Sequence, residues 1–286
     1  MSMEFATFHV ALRSDEAVHP NQTLQHLEYL SMIDMMLRSA RLFHPAMTGT
    51  VLTDAQTVLT GISASVRRVE YAINPQRLMY DRTMAQLNHL LASNFAMPLV
   101  LLDSDILINA SLAELVRRPF DVALTWRTNV EMPINGGFLL LNNQRPGAVR
   151  AFFKRFASIY QRNYADRADW FGDQLALRDA VGLSHEQMVE HDIVEVEGCR
   201  VLLLPCDTYN YAPDNLLSDI MEPIEGKAVL HFKGQRKRLM AWYWNAHLAD
   251  RSSRWPTSRV RAWLARRQLA WLSEMESRSR KTGVRA

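Results

Sequence analysis

Cysteine is scarce in this chain of 286 residues: Cys199 and Cys206 are the two present. Two thiols make no disulfide framework, and no C-x-x-C pair or Cys/His cluster has zinc spacing, so both are expected to be reduced and buried. Long apolar runs are missing as well. Nothing approaches the roughly 18–20 residues that a membrane span needs. Residues 1–10 carry no basic flank ahead of a signal-like apolar core, so the expected location is cytoplasmic. No glycine occurs between residues 5 and 25, which removes a glycine-rich phosphate loop behind the first strand. No basic stripe interleaved with aromatics crosses the first 250 residues, and nucleic acid is not expected as a partner.

What remains is an ordinary globular composition, 48% hydrophobic and 22% charged, sufficient for a sizeable core in one large domain or two small ones. The net charge of +3 hides an asymmetry. Residues 251–286 hold ten Lys/Arg against two Glu, a net of +8, which leaves −5 for residues 1–250. Basicity therefore belongs to the tail.

The chain is organised around Leu99-Val100-Leu101-Leu102-Asp103-Ser104-Asp105, an apolar run that ends in two carboxylates one residue apart. Without alternation, such a run reads as a strand covered on both faces. At the carboxyl end of a strand in an open α/β sheet, a D-x-D is placed to hold a divalent cation against a phosphorylated ligand. An ordinary polar loop after a strand is the competing reading. Around this run, strands are expected at residues 5–12, 50–54, 66–73, 120–126 and 200–204. Helices are expected at 24–42, capped by Asn21 or Thr23, and at 77–93 and 146–164. Alternating strands and helices imply a largely parallel sheet. After Asp105, Ser111 and Glu114 fit a capping box that opens a short helix.

Three further stretches carry chemistry. Asn135-Gly136-Gly137 precedes an apolar strand, where glycine permits either close approach or positive φ. Trp170-Phe171-Gly172-Asp173-Gln174 opens a helix. His231 ends a buried strand and is followed by Lys233, Gly234, Arg236, Lys237 and Arg238, an imidazole beside clustered cations that suits a metal-bound diphosphate. Two carboxylates and an imidazole leave coordination sites open for phosphate oxygens.

In order, Tyr80-x-Arg82, Asp103-Ser104-Asp105, Asn135-Gly136-Gly137, Asp173-Gln174 and His231-x-x-Gly234-x-x-Lys237 resemble the retaining, metal-dependent glycosyltransferases of family 8, which include bacterial lipopolysaccharide galactosyltransferases and the glycogenins. The resemblance spans roughly residues 5–240, and H-x-x-G-x-x-K is its most specific element. It implies a GT-A fold: a single Rossmann-like α/β domain over residues 1–250 with a mixed, mostly parallel central sheet flanked by helices, followed at 251–286 by a basic, tryptophan-containing helical tail. By the same resemblance, Asp103, Asp105 and His231 would hold Mn²⁺ or Mg²⁺. Lys237 and the Gly234 backbone would contact the diphosphate of a nucleotide-sugar donor, most simply UDP-linked, and Ser104 would also belong to the donor site. Arg82, Asn135, Gly136 and Gly137 would line the donor, and Asp173 and Gln174 would lie beneath its reacting carbon. The acceptor would be a glycan or glycolipid. The chain departs from the family in lacking an Asn-Tyr-like pair after the first strand, and in carrying Arg238 and Leu239 where proline and tryptophan usually follow the lysine.

Other classes fit less well. A nucleotidyltransferase that makes the activated sugar shares the architecture but wants a glycine-rich loop near its amino terminus. An HAD-type phosphatase wants its D-x-D after the first strand, not at 103. A non-catalytic sugar-binding or membrane-attached scaffold would have no need of the three candidate ligands. In the tail, Val260, Leu264, Trp271 and Met275 share one helical arc, with Arg261 and Arg267 beside it and Arg259 and Arg266 roughly opposite. That pattern fits either a helix lying on an anionic membrane surface or one packed on the body with a solvated basic face.

Overall fold

The structure, a computed structural model, describes residues 2–12, 25–63, 65–165, 171–190, 192–252 and 256–282. The expected helix caps Asn21 and Thr23, and Trp170 and Trp255, lie outside the described residues. Ten strands are described: β1 (Glu4–Phe8), β2 (Thr48–Thr53), β3 (Val66–Glu70), β4 (Leu99–Leu102), β5 (Ile106–Ile108), β6 (Val122–Trp126), β7 (Ile134–Leu141), β8 (Ile193–Val196), β9 (Cys199–Pro205) and β10 (Val229–His231). The helices are α1 (His26–Phe43), α2 (Leu78–Ala92), α3 (Ala113–Val116), α4 (Pro146–Asn163), α5 (Gly172–Val181), α6 (His185–Glu190), α7 (Cys206–Tyr209), α8 (Lys237–Tyr243) and α9 (Pro256–Thr282).

Eight strands form one sheet in the order β3-β2-β1-β4-β7-β6-β9-β8, with β7 and β8 antiparallel to their neighbours and every other pairing parallel. The mixed, mostly parallel sheet flanked by helices is the expected architecture. Its central strand behaves as its composition requires. Val100 and Leu102 point into the apolar layer beneath α1 and α8, while Leu99 and Leu101 point into the opposite layer beneath α2, α4 and α5. Both faces of β4 are thus buried, which is why the run shows no alternation. On α4, Val149, Phe152, Phe153, Phe156 and Ile159 supply the apolar stripe, as their spacing indicates.

Topology also fixes one edge. Because β1, β2, β4, β6 and β9 run the same way, His9, Asp54, Asp103, Arg127 and Cys206 all follow strand ends on the same side of the sheet. The first residues of β7 arrive there from the opposite direction, and Asp103 N donates to Gly137 O at 2.9 Å.

Several expectations are corrected. The segment 106–116 begins as strand β5, paired antiparallel with β10, and helix α3 follows only at Ala113. No capping box forms there: Leu112 occupies the cap position, and Ser111 Oγ instead accepts from Ala113 N at 3.2 Å. Gly136 and Gly137 lie inside β7 rather than before it, and neither has positive φ. Tyr209-Asn210-Tyr211, whose composition suggests a polar, aromatic loop, begins instead as the last residue of α7, and Asn210, its C-cap, is buried.

The tail forms the 27-residue helix α9, which meets the body along one side. Ala262 and Leu269 are buried, Arg266 Nη1 donates to Ala246 O at 2.7 Å, and Glu276 accepts from Leu217 N at 2.9 Å. Arg266 therefore faces the body. The opposite arc keeps its apolar residues in solvent: Val260, Leu264 and Trp271 are each more than half exposed (56%, 53% and 59%), with Trp263 and Met275 close behind. Among the described residues no helix is long and apolar enough to cross a membrane.

Candidate metal and sugar-nucleotide site

The carboxylates reach their positions through local geometry. Strand β4 ends at Leu102, whose carbonyl accepts from Thr7 Oγ1 at 2.9 Å, and a turn at Ser104 and Asp105 leads into β5. β10 pairs with β5 so that His231 stands opposite Ile106, and Phe232 N donates to Asp105 O at 2.8 Å. That pairing carries His231 across more than a hundred residues of sequence. Its Nε2 lies 3.2 Å from Asp105 Oδ1 and 3.6 Å from Asp103 Oδ2, and the three side chains form a compact group whose ligand atoms all lie within 4.8 Å of one another.

The chemistry of this donor set fits a divalent cation. Asn210 donates through Nδ2 to Asn135 Oδ1 and to Thr125 Oγ1, both at 2.8 Å, which leaves its Oδ1 as the acceptor facing His231 Nδ1 at 2.7 Å. The imidazole proton accordingly belongs on Nδ1, and the Nε2 lone pair is turned toward the carboxylates. Burial would raise the Asp105 carboxyl, but the charge and hydrogen bond of the imidazolium form of His231, and then Lys237, outweigh it and hold the group well below the usual carboxylate range; a bound cation would take the place of the Nε2 proton.

Cations and glycines complete the surroundings. Arg82, half-buried on α2, puts Nη1 2.8 Å from Asp103 Oδ1 and donates from Nη2 to Gly136 O at 3.2 Å. Lys237, the first residue of α8, lies 3.8 Å from Asp105 Oδ2 and donates to Tyr29 Oη at 3.2 Å. Gly137 is required for space: a Cβ there would lie 2.5 Å from His231 Cε1 and 3.0 Å from Asp103 Oδ2. At Gly136 the same atom would meet Asp173 Oδ2 at 3.0 Å. Gly234 is required for its φ of +63°, in the left-handed region, and a Cβ there meets nothing within 4 Å.

Asp173 and Gln174 begin α5 beside this group. Burial pushes the Asp173 carboxyl up to about 6 against the pull of Arg82, whose Nη2 is 4.0 Å away. Its Oδ1 is buried with no hydrogen-bond partner among the described residues. Such an orphaned acceptor is the kind of atom a ligand hydroxyl satisfies. The Gln174 amide oxygen lies 3.5 Å from Arg127 Nη2.

Among the twelve residues singled out from sequence, Arg82, Asp103, Asp105, Asn135, Gly136, Gly137, Asp173, His231 and Lys237 are linked by the contacts above. Ser104 forms the turn between the two carboxylates, and Gly234 shapes the loop between His231 and Lys237. The Asn135 side chain, expected to line the donor sugar, is buried, its Oδ1 accepting from Gly137 N at 3.0 Å and from Asn210, which in turn faces His231. Tyr80 packs edge-on against Tyr160 in the core. Sequence reasoning missed Asn210, Tyr29 and Arg127. Asn210 had one legible signal, a polar residue between two aromatics next to an apolar strand, and the other two had none.

No protein-family model and no curated protein sequence matches this chain. Solved structures do. The glycosyltransferase GlyE of Streptococcus pneumoniae TIGR4 is similar over 88% of this chain and 61% of its own, at 15% identity and a TM-score of 0.51. The bifunctional glycosyltransferase WbbM is similar over 91% of this chain and 51% of its own, at 12% identity and a TM-score of 0.53. The galactosyltransferase LgtC, crystallised with donor and acceptor sugar analogues, is similar over 82% of this chain and 87% of its own, at 15% identity and a TM-score of 0.48. This chain spans less than two thirds of the length of GlyE and of WbbM. At these identities the likeness is one of architecture, and the fold it identifies is GT-A.

Proposed function

We propose that this protein is a metal-dependent glycosyltransferase that moves a sugar from a nucleotide-diphosphate donor, UDP-linked, to a glycan or glycolipid acceptor with retention of anomeric configuration. One observation carries the reading: Asp103, Asp105 and His231 converge at the carboxyl edge of the sheet with Lys237 beside them and glycine backbone beneath.

Departure of the donor diphosphate leaves negative charge on the leaving group and positive charge on the sugar ring. A Mn²⁺ or Mg²⁺ held by the three ligands would neutralise part of the first charge. Lys237 adds a mobile ammonium, and the Gly234 backbone together with Ser104 approaches the phosphates. The sugar lies over Gly136, which admits the Asp173 carboxylate from below. The orphaned Asp173 Oδ1 accepts from a ring hydroxyl, and the Gln174 amide lies nearest the reacting carbon. Arg82 fixes Asp103 and braces Asp173, and so acts by positioning. The resemblance to retaining enzymes, with Asp173-Gln174 followed by the histidine-lysine loop, supports retention. The exposed arc of α9, with Trp263 and Trp271 among arginines, supports attachment to an anionic membrane surface.

Calorimetry with UDP in the presence of Mn²⁺ or of EDTA tests this reading. Wild-type protein should bind UDP in a metal-dependent manner, and Asp105→Asn should lose that dependence while melting as the wild type does. Equal UDP affinity with and without metal, or normal metal-dependent binding by Asp105→Asn, overturns it. An NMR time course of transfer from an α-linked donor reports the anomer.

A further inference from the structure

The cations at the sheet edge divide into two groups. Arg82 and Lys237 face Asp103 and Asp105, so their charges are balanced by the candidate metal ligands. Arg127, Lys233 and Arg236 are different: among the described residues none of these three makes an ion pair. Arg127 Nε donates to Met132 O at 2.8 Å and its Nη2 faces Gln174, while Arg236 Nε donates to Pro213 O at 2.5 Å. Arg236 N donates to Lys233 O at 3.3 Å, so these two share one turn, and Asn210 ties the segments together by bonding both Thr125, two residues before Arg127, and His231, two residues before Lys233. Lys233, half-buried, lies within electrostatic reach of both guanidinium groups and of Asp105. Four chain segments thus converge here: the ends of β6, β9 and β10, and the first turn of α5.

The sheet order sets Arg127 apart from the nucleotide side, while Lys233 and Arg236, in the turn between His231 and Lys237, reach from one side to the other. Lys237 contacts Tyr29 of α1, next to β1, whereas Arg127 and Cys206 follow β6 and β9, on the far side of β4 and β7. Gln174 lies beside both Arg127 and Gly136. Among the described residues the one acid within reach of Lys233 is Asp105, which already faces His231 and Lys237, so three like charges share no acid of their own; such an arrangement persists where a ligand supplies the negative partner. Arginine prefers the planar, two-oxygen face of a carboxylate or phosphate.

We propose that Arg127, Lys233 and Arg236 form a second anion subsite, and that one of the two sugars joined at this site carries a carboxylate or phosphate group which these cations recognise. This rests on the glycosyl-transfer reading and names its substrate class more closely.

The experiment has two arms, each on wild type, Lys233→Gln and Arg127→Gln. In the donor arm, calorimetry compares UDP-glucose with UDP-glucuronic acid in Mn²⁺. In the acceptor arm, protein loaded with Mn²⁺ and UDP is titrated with methyl glucoside, methyl glucuronide and glucose 6-phosphate. The expected result is a preference of about tenfold or more for the anionic probe in one arm, as a charge-assisted pair supplies. It should weaken with added salt and be lost in both variants. The arm in which it appears identifies the sugar that bears the charge. Equal binding of neutral and anionic probes in both arms overturns the proposal, as does a preference that survives both substitutions. A fall in UDP affinity itself in the variants, without any change in sugar preference, reassigns these cations to the diphosphate and overturns it equally. Metal-dependent UDP binding is read in every arm, so its absence defeats the glycosyl-transfer reading, whereas its presence without anion preference defeats only the subsite.

Discussion

Gly137→Ala places one methyl group at the most crowded point of the site. Its Cβ would lie 2.5 Å from His231 Cε1, 2.8 Å from His231 Nδ1 and 3.0 Å from Asp103 Oδ2. Carbon atoms settle at about 3.5–4.0 Å, so the imidazole must retreat by roughly 1 Å. It has little room to do so, because Nδ1 is held by Asn210 at 2.7 Å and the backbone by β10–β5 pairing. Retreat therefore costs the Asn210 bond or turns Nε2 away from Asp105. Overpacking of this kind costs about 1–3 kcal/mol of stability. Loss of the partner that orients a ligand imidazole lowers metal affinity by about 10–100-fold, or roughly 1.4–2.7 kcal/mol. The matched control is Gly147→Ala, an exposed position in α4 where a Cβ meets nothing within 4 Å. There the substitution should stabilise by about 0.5–1 kcal/mol, through the reduced entropy of the unfolded chain and better helix propensity. Thermal melts and Mn²⁺ calorimetry on the two variants should move in opposite directions for stability, and only Gly137→Ala should lose metal. If Gly137→Ala melts with the wild type and binds Mn²⁺ within twofold of it, the packing argument for this glycine is refuted.

Asn210→Ala removes the acceptor from His231 Nδ1 without touching a ligand atom. Mn²⁺ affinity should fall by about 10–100-fold, and an unchanged value in calorimetry would show that another group sets the tautomer. At the far end of β1, burial would raise the Glu4 carboxyl, but His89 at 2.9 Å, Thr50 and Arg67 hold it at about 2 instead of 4.5. A lowered acid contributes stability above its unfolded pKa that is lost as pH falls, here between about 4.5 and 2, and the shift is worth about 3 kcal/mol. Urea midpoints of wild type and Glu4→Gln should therefore differ most above pH 4.5 and converge below it; a gap that stays constant with pH contradicts the assignment. On α9, Trp263→Glu with Trp271→Glu alters only exposed positions, so melting should be unchanged while sedimentation with anionic vesicles falls by about tenfold. Wild-type protein that does not sediment with such vesicles removes the membrane proposal.

The sequence determined the elements and much of the local chemistry. An apolar run without alternation could only be a strand covered on both faces, and β4 is one. The 3.6-residue spacing marked the buried face of α4, and on α1 and α2 it marked Leu30, Ile33, Met36, Leu37, Leu87 and Leu90 correctly, because that periodicity is a property of a single segment. Leu27 and Leu91, on the same spacing, are exposed because nothing among the described residues packs over those ends of the helices. D-x-D and H-x-x-G-x-x-K named the candidate metal ligands and Lys237, since the ligand types are visible without coordinates. Tertiary structure decided what depends on two segments at once. The β5–β10 pairing brings His231 to 3.2 Å from Asp105, and no local pattern records a register between strands more than a hundred residues apart. Ile106–Ile108 is strand because β10 pairs with it, and its neighbour Ser111 lost the cap to Leu112 once the chain had to leave that strand. Gly136 and Gly137 are glycine because side chains from α5 and β10 occupy the space above them, not because their own backbone demands it. Asn210, Tyr29 and Arg127 carried no motif, and the tail's two faces were separated only when Ala262 and Leu269 docked on the body and left the tryptophans outside. Periodicity reports how a segment divides its own surface; which surface it meets is set by the strand order of the whole sheet.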